Sequence, residues 1–270
     1  MAFVVGLAVG SFLNVVIHRL PREESLLFPP SHCPSCKRRL GFWDLIPILS
    51  YLFLRGKCRY CGSKISARYP IVEGLTGVLF SLFTWRYFPS PVLLGHLAVV
   101  SALIAIAFID LEHMLIPDVL MVVVAIAGVA LDLGQIATGK KDMLTISLHK
   151  VGFPFMLAIP RSIAGGLLGL VLFYTIARAS ELAFKKEAMG EGDVLLAGAL
   201  GAYLGPGYEF WAFFILAAVI GAAVGVAFAA VKGESLSTAI PFGPMMAASA
   251  IIVALFGKEL VALLKIVYAL

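Results

Sequence analysis

The sequence predicts an all-α polytopic membrane protein: about eight transmembrane helices plus a small zinc-bound loop domain on the cytoplasmic side. Three observations predict it. Hydrophobic residues make up 61% of the 270-residue chain and charged ones 14%, with a mean hydropathy of +0.99; soluble domains average about 45–50% and about 25%. The apolar residues come in continuous runs near ~20 residues, which suits helices crossing ~30 Å of hydrocarbon and not the alternation of a β-barrel. The only stretch resembling a soluble unit, residues 19–69, holds all four cysteines in two C-x-x-C pairs.

Taken in order, the first span covers residues 2–18. Its Gly6, Gly10, Ser11 and Asn14 suit close packing against another helix. It lacks a basic leader and ends at Ile17-His18-Arg19 without a small-residue cleavage site, so it reads as a retained helix. After the polar loop 19–69, a second span runs from Pro70 to Trp85, and Phe88-Pro89-Ser90-Pro91 turns the chain into a third, 92–109. A break from Asp110 to Asp118 precedes the fourth span, which ends near Ala137. Residues 138–160 are a linker of ambiguous structure. The fifth span covers 161–183, the sixth 194–204 and the seventh 209–231, and Ile240-Pro241-Phe242-Gly243-Pro244 opens the eighth. The sixth is too short to cross ~30 Å at 1.5 Å per residue without its flanks, so seven is the alternative count. Two domains follow: 1–85, with the metal loop, and 86–270.

The net charge of +5 is uneven, because ten of the 21 basic residues lie between Arg19 and Arg68. That excess reports topology and contact with membrane lipid, not nucleic acid. With loop 19–69 in the cytoplasm, segments 110–118, 184–193 and 232–239 fall on the same side. Lys185, Lys186 and Lys232 agree with this, whereas linker 138–160 falls outside despite three lysines. Either way, parity puts Asp110 and Asp193 at one membrane face.

Cys33-Pro34-Ser35-Cys36 and Cys58-Arg59-Tyr60-Cys61 match a tetrathiolate zinc site, closed and therefore structural. The 21 residues between the pairs (37–57) sit just beyond the usual ~15–20. Paired disulfides are the competing reading, disfavoured in a cytoplasmic loop. His32, beside Cys33, is a spare ligand that a complete tetrahedron does not need.

Carboxylates at membrane depth are rare and functional by default. Of the six aspartates, Asp44 lies in the loop and Asp142 in the linker, while Asp132 and Asp118 suit capping roles. Asp110 and Asp193 remain. Two carboxylates facing one water hydrolyse an amide by sharing a proton: the ionised acid activates water and the protonated one polarises the carbonyl. Gly190 and Gly192, flanking Glu191 ahead of Asp193, leave the backbone bare for a substrate chain to approach. The bland alternatives are a helix cap for Asp193 and an interfacial acid for Asp110. His113 suits an interfacial position better than a metal site, and no G-x-S-x-G or H-E-x-x-H motif is present.

Set together, these stretches resemble the prepilin peptidases, or type IV leader peptidases. The resemblance rests on Gly10-Ser11-Phe12-Leu13-Asn14 through Pro21, the paired C-x-x-C knuckles with Ile65 through Glu73, Ile109-Asp110 through Asp118, Gly190-Glu191-Gly192-Asp193, and Ile240 through Pro244, in family order. It implies an aspartyl dyad of Asp110 and Asp193, with Asp118 as support. It further implies a bacterial inner-membrane enzyme that cleaves the basic leader of type IV prepilin or pseudopilin precursors at the cytoplasmic face. N-methylation of the new amino terminus from S-adenosylmethionine is also implied; the sequence does not assign the methyl-donor site, and Arg68 and Glu73, beside the second span, suit a salt-bridged or packing role better than that site. Leu195 departs from the family pattern, which often has lysine there. The rivals are another G-x-G-D intramembrane protease, which has no reason for the zinc loop, and a transporter using the acids as proton or cation sites.

Overall fold

A computed structural model of the chain describes residues 1–139, 142–147, 156–185, 189–232 and 240–268. Lys140, Lys141, His149, Lys150, Lys186, Glu187 and Glu234 lie outside the described residues. Eight long or buried helices stand where the apolar runs predict them: α1 (Ala2–Arg19), α3 (Arg68–Tyr87), α4 (Val92–His113), α5 (Asp118–Ala137), α6 (Arg161–Phe184), α7 (Glu191–Leu204), α8 (Tyr208–Lys232) and α9 (Gly243–Tyr268). A ninth, α2 (Leu49–Phe53), is a single turn inside the polar loop. Six of them are long and apolar enough to cross a membrane: α1, α4, α5, α6, α8 and α9. The protein is therefore a multi-pass membrane protein. Helix α7, at 14 residues, reaches only about 21 Å, and α3 carries Arg68, Glu73 and Arg86.

One part of the linker is not helical. Leu144–Ser147 (β1) pairs antiparallel with Met156–Ile159 (β2), Leu144 opposite Ile159. The chain is mostly helical, as expected, and this short strand pair is an addition to the helices.

Helix α4 is the shared centre. Val99, Ala102, Leu103 and Ile106 join a core built with α5, α7, α8 and α9. Val100, Ile104, Ala105 and Ile109 join a second core with α1 and α3. A helix buried on both faces carries no polar stripe, which is why its run is continuously apolar. Small residues allow close approach, as Gly6 and Gly10 suggest. A Cβ at Gly6 would lie 2.7 Å from Gly77 Cα, and one at Gly10 2.7 Å from Glu73 Cα, so α1 and α3 touch backbone to backbone. Helix α7 is held the same way: a Cβ at Gly165 or Gly169 of α6 would collide with the carbonyls of Gly201 and Ala197.

Asp132 is buried, and its carboxylate accepts the Ser162 N–H at 2.8 Å, satisfying a free donor at the start of α6. Asp118 is corrected in detail. Pro117 holds the cap position of α5, no side-chain cap bond forms, and Asp118 is exposed in the first turn.

Candidate active site

Helix α4 stops one turn after Asp110. Met114 turns left-handed (φ 50°) and its N–H returns to the Asp110 carbonyl at 2.9 Å. This leaves the Asp110 side chain, 4% exposed, at the buried mouth of the helix. Its Oδ2 accepts the backbone N–H of Gly243 at 2.9 Å. Gly243 opens α9, so the acid takes one of the donors that every helix start leaves unpaired. Pro244 follows at no cost, since its missing N–H belongs to the same unpaired set.

Asp193 occupies the third position of α7, after Glu191 and Gly192, with Gly190 at the cap position. Its N–H donates to the Gly190 carbonyl at 3.1 Å, and its Oδ2 lies 3.8 Å from where a Gly190 Cβ would stand. The expectation of a helix start is met. Asp110 at the end of α4 and Asp193 at the start of α7 stand at the same end of the bundle, with Ile116 packed against both Gly192 of α7 and Gly243 of α9.

The glycines differ. Among the described residues, a Cβ at Gly190 would meet only Asp193 Oδ2, at 3.8 Å, and Gly190 itself is exposed. A Cβ at Gly192 would lie 3.3 Å from Ile116 Cβ, so that glycine makes room for Ile116. Ile116 is buried and also sits 3.3 Å from where a Gly243 Cβ would be. It wedges between the starts of α7 and α9. Leu195 is 48% exposed, two residues beyond Asp193.

Sequence reasoning missed Gly243 and Ile116 as parts of the site. A glycine between Phe242 and Pro244 at a helix start was the available signal, since it marks a bare N–H with an acid-accepting direction.

The loop holds a second constellation. The Sγ atoms of Cys33, Cys36, Cys58 and Cys61 all lie within 4.8 Å of one another, Cys33 to Cys61 at 3.9 Å. A tetrahedron of ~2.3 Å metal–sulfur bonds has edges of ~3.8 Å, so the four sulfurs fit a metal ion. Each pair sits in a matched turn: Cys33 N–H to Arg38 O (2.9 Å) and Lys37 N–H to Cys33 O (2.8 Å), then Cys58 N–H to Ser63 O (2.8 Å) and Gly62 N–H to Cys58 O (2.9 Å). The Cys36 backbone N–H directed at its sulfur brings the Cys33 thiol down to about 6. His32 turns its Nδ1 to Pro30 O at 3.1 Å instead. Asp44 ties the two halves of the loop together, accepting from Arg59 Nε (2.6 Å), Tyr60 OH (3.0 Å) and Gly41 N–H (3.0 Å).

Arg68 and Glu73 have structural partners. Arg68 Nη1 meets Glu112 Oε2 at 2.5 Å, joining the start of α3 to the end of α4. Glu73 Oε2 accepts the Ile48 N–H at 2.7 Å. His113 is exposed and joins no ligand cluster among the described residues. A pocket of about 420 Å³, lined by Arg86, His96, Asp132, Arg161 and Tyr203 among others, lies at the opposite helix ends and shares no residue with the dyad.

Comparison with known proteins agrees with this layout. Residues 4–87 match the model of the bacterial peptidase A24 N-terminal domain, and residues 97–226 that of the type IV leader peptidase family. A prepilin leader peptidase/N-methyltransferase of Pseudomonas putida is 35% identical over 97% of this chain and 92% of its own length. One from Legionella pneumophila is 35% identical over 97% and 93%. The type 4 prepilin-like proteins leader peptide-processing enzyme of Escherichia coli is 34% identical over 91% and 89%. No solved structure matches the chain. With similarity running through both the cysteine loop and the acid-bearing helices, the chain belongs to the type IV leader peptidase family.

Proposed function

We propose that this chain, a peptidase and N-methyltransferase of that family, uses Asp110 and Asp193 to remove the basic leader of type IV prepilin or pseudopilin precursors. One observation supports the dyad above all: both acids stand at one end of the bundle, where Ile116 packs against the helix starts beside each, with Asp110 fixed by the Gly243 N–H. Two such acids share one proton; the ionised partner draws a proton from water as it attacks, and the protonated partner donates to the carbonyl oxygen. The open face of Gly190 admits the extended scissile segment. A precursor with an apolar helix and a basic leader presents its junction at the headgroup layer, the depth expected for helix ends. Of the acids facing a basic leader, Glu191 is exposed in the first turn of α7, and Glu112 is engaged by Arg68.

In the proposed topology, loop 19–69 and the dyad lie at the cytoplasmic face of the bacterial inner membrane. The domain division stays at 1–85 and 86–270. The four thiolates of Cys33, Cys36, Cys58 and Cys61 hold structural zinc, folding a loop too short for a core of its own. S-adenosylmethionine supplies the methyl group; its binding residues are unassigned, since Arg68 and Glu73 are both engaged in structural bonds.

Asp110→Asn and Asp193→Asn test the dyad in an assay of prepilin cleavage, each expected to abolish turnover. Full turnover by either variant refutes the assignment. Transfer of label from S-adenosylmethionine to an already mature pilin reads the second activity separately, and both variants should retain it.

A further inference from the structure

The loop that carries the four cysteines also carries an apolar patch that none of the chemistry above uses. A short turn at Phe42–Leu45 and helix α2 (Leu49–Phe53) expose Phe42 (77%), Trp43 (71%), Leu49 (50%), Leu52 (62%) and Phe53 (83%). Soluble domains do not leave such a cluster uncovered. The side chain of Asp44, in the same turn, points the other way, into its bonds with Arg59, Tyr60 and Gly41.

The depth of this segment is set by Glu73. The Ile48 N–H, at the start of α2, donates to Glu73 Oε2 at 2.7 Å, and Ile48 Cδ1 would touch a Cβ at Gly74 at 3.6 Å. Glu73 lies five residues into α3 from Arg68, about 7–8 Å along the axis. Arg68 itself pairs with Glu112 at the end of α4, and a charged pair at helix ends marks the headgroup level. The loop therefore dips back from that level along α3. Beside the Ile48 contact at Gly74, α3 exposes Ile71, Leu75 and Val78 by 54%, 40% and 49%, an apolar face suited to lipid. This accounts for the burial of Glu73, 7% exposed: it satisfies a backbone donor where water is scarce.

Charge favours the same occupant. From Lys37 to Lys57 there are five basic residues, Lys37, Arg38, Arg39, Arg55 and Lys57, against one acid, Asp44. All five are exposed, and Asp44 is already bonded. Apolar and aromatic side chains flanked by cations describe an in-plane segment sunk about 5–10 Å into an anionic headgroup layer.

We infer that residues 42–53 form an interfacial anchor that lays the cysteine loop on the surface of an anionic bilayer, clasped at its depth by Glu73. The inference is independent of the proposed catalytic roles.

The test uses the full chain with Trp85→Phe and Trp211→Phe, which leaves Trp43 as the only tryptophan. The protein is placed, one copy per nanodisc, in phosphatidylcholine–phosphatidylglycerol bilayers brominated at shallow or deep acyl positions. Expected are blue-shifted Trp43 emission and several-fold stronger quenching by shallow than by deep bromines, weakening when phosphatidylglycerol is omitted. Red-shifted, unquenched emission overturns the anchor. Shielding that appears only with two copies per disc overturns it too, and assigns the patch to an interface between chains.

Discussion

Gly243→Ala isolates the placement of Asp110 from its chemistry. The added Cβ would stand 2.7 Å from Asp110 Oδ2, 3.3 Å from Asp110 Cγ and 3.3 Å from Ile116 Cδ1. Ordinary contact begins at 3.4 Å, so restoring it moves the carboxylate or the start of α9 by about 0.7 Å, the difference between 3.4 and 2.7. Asp110 is only 4% exposed, so its carboxylate has little room to relax. A displacement near 1 Å in a reacting group costs ~10²-fold, about 2.7 kcal/mol in barrier. Cleavage of a prepilin under single-turnover conditions should therefore slow ~10²-fold. Methyl transfer to mature pilin and helical content should stay near the parent's. Gly190→Ala is the matched control, since its Cβ meets nothing closer than 3.8 Å. It should keep the rate on a short peptide and lose affinity for a full precursor. If Gly243→Ala cleaves at the parent rate, the Gly243 contact has no part in positioning Asp110 and the reasoning fails.

Zinc removal should unfold the cysteine loop and leave the helices. Cys33→Ser or Cys58→Ser, both at buried positions, should lose bound metal by mass spectrometry and open residues 19–69 to protease while the bundle resists. Asp44 gives the loop a pH dependence with a defined sign. Burial works against its charge, but the Gly41 N–H, Arg59 and Tyr60 outweigh it and hold the carboxyl below the usual range. Its contribution is thus full above the ordinary carboxylate pKa and fades as pH falls through the depressed value. The protease resistance of wild type over Asp44→Asn should shrink as the buffer is acidified, and a gap that widens instead reverses the sign. Arg68→Ala should change thermal stability by less than about 1 kcal/mol, because Glu112 is 38% exposed. Gly165→Ala should lower the melting temperature in detergent sharply, since its Cβ would meet backbone of α7 that cannot turn aside.

The apolar runs placed the helices within a few residues, because a bilayer-crossing segment is specified by local composition. The cysteine pairs were legible for the same reason: turn, ligand and spacing are contiguous in sequence. Asp110 and Asp193 were legible as acids out of place, and parity gave them a common face. What the sequence withheld are bonds between an acid on one helix and a backbone amide at the start of another. Asp110 to Gly243 spans 133 residues and Asp132 to Ser162 spans 30. Backbone donors carry no side-chain identity, so at most a helix-start pattern such as Phe242-Gly243-Pro244 hints at one, and nothing in the sequence names its acid partner. The sequence favoured a structural role for Glu73 without naming its partner, which is the main chain of Ile48. The hairpin of β1 and β2 was hidden because four-residue strands leave too few alternations to distinguish from linker.

The chain holds its acids by two mechanically different means. Asp193 rides on a 14-residue helix whose segment Leu196–Ala202 is buried, and glycines bring α6 to it so closely that no side chain separates them. Backbone contacts of this kind have no rotamers to adjust, so α7 sits at one height and carries Asp193 with it. Asp110 is set by a helix buried on two faces and then trimmed by one hydrogen bond from α9. In the proposed reaction the rigid partner fixes where the water must sit, and the trimmed partner depends on the start of α9. A change in the approach to Gly243 therefore acts on the reaction through Asp110 and not through Asp193. That asymmetry explains why a family segment with no titratable group, Pro241-Phe242-Gly243-Pro244, belongs to the catalytic end of the molecule.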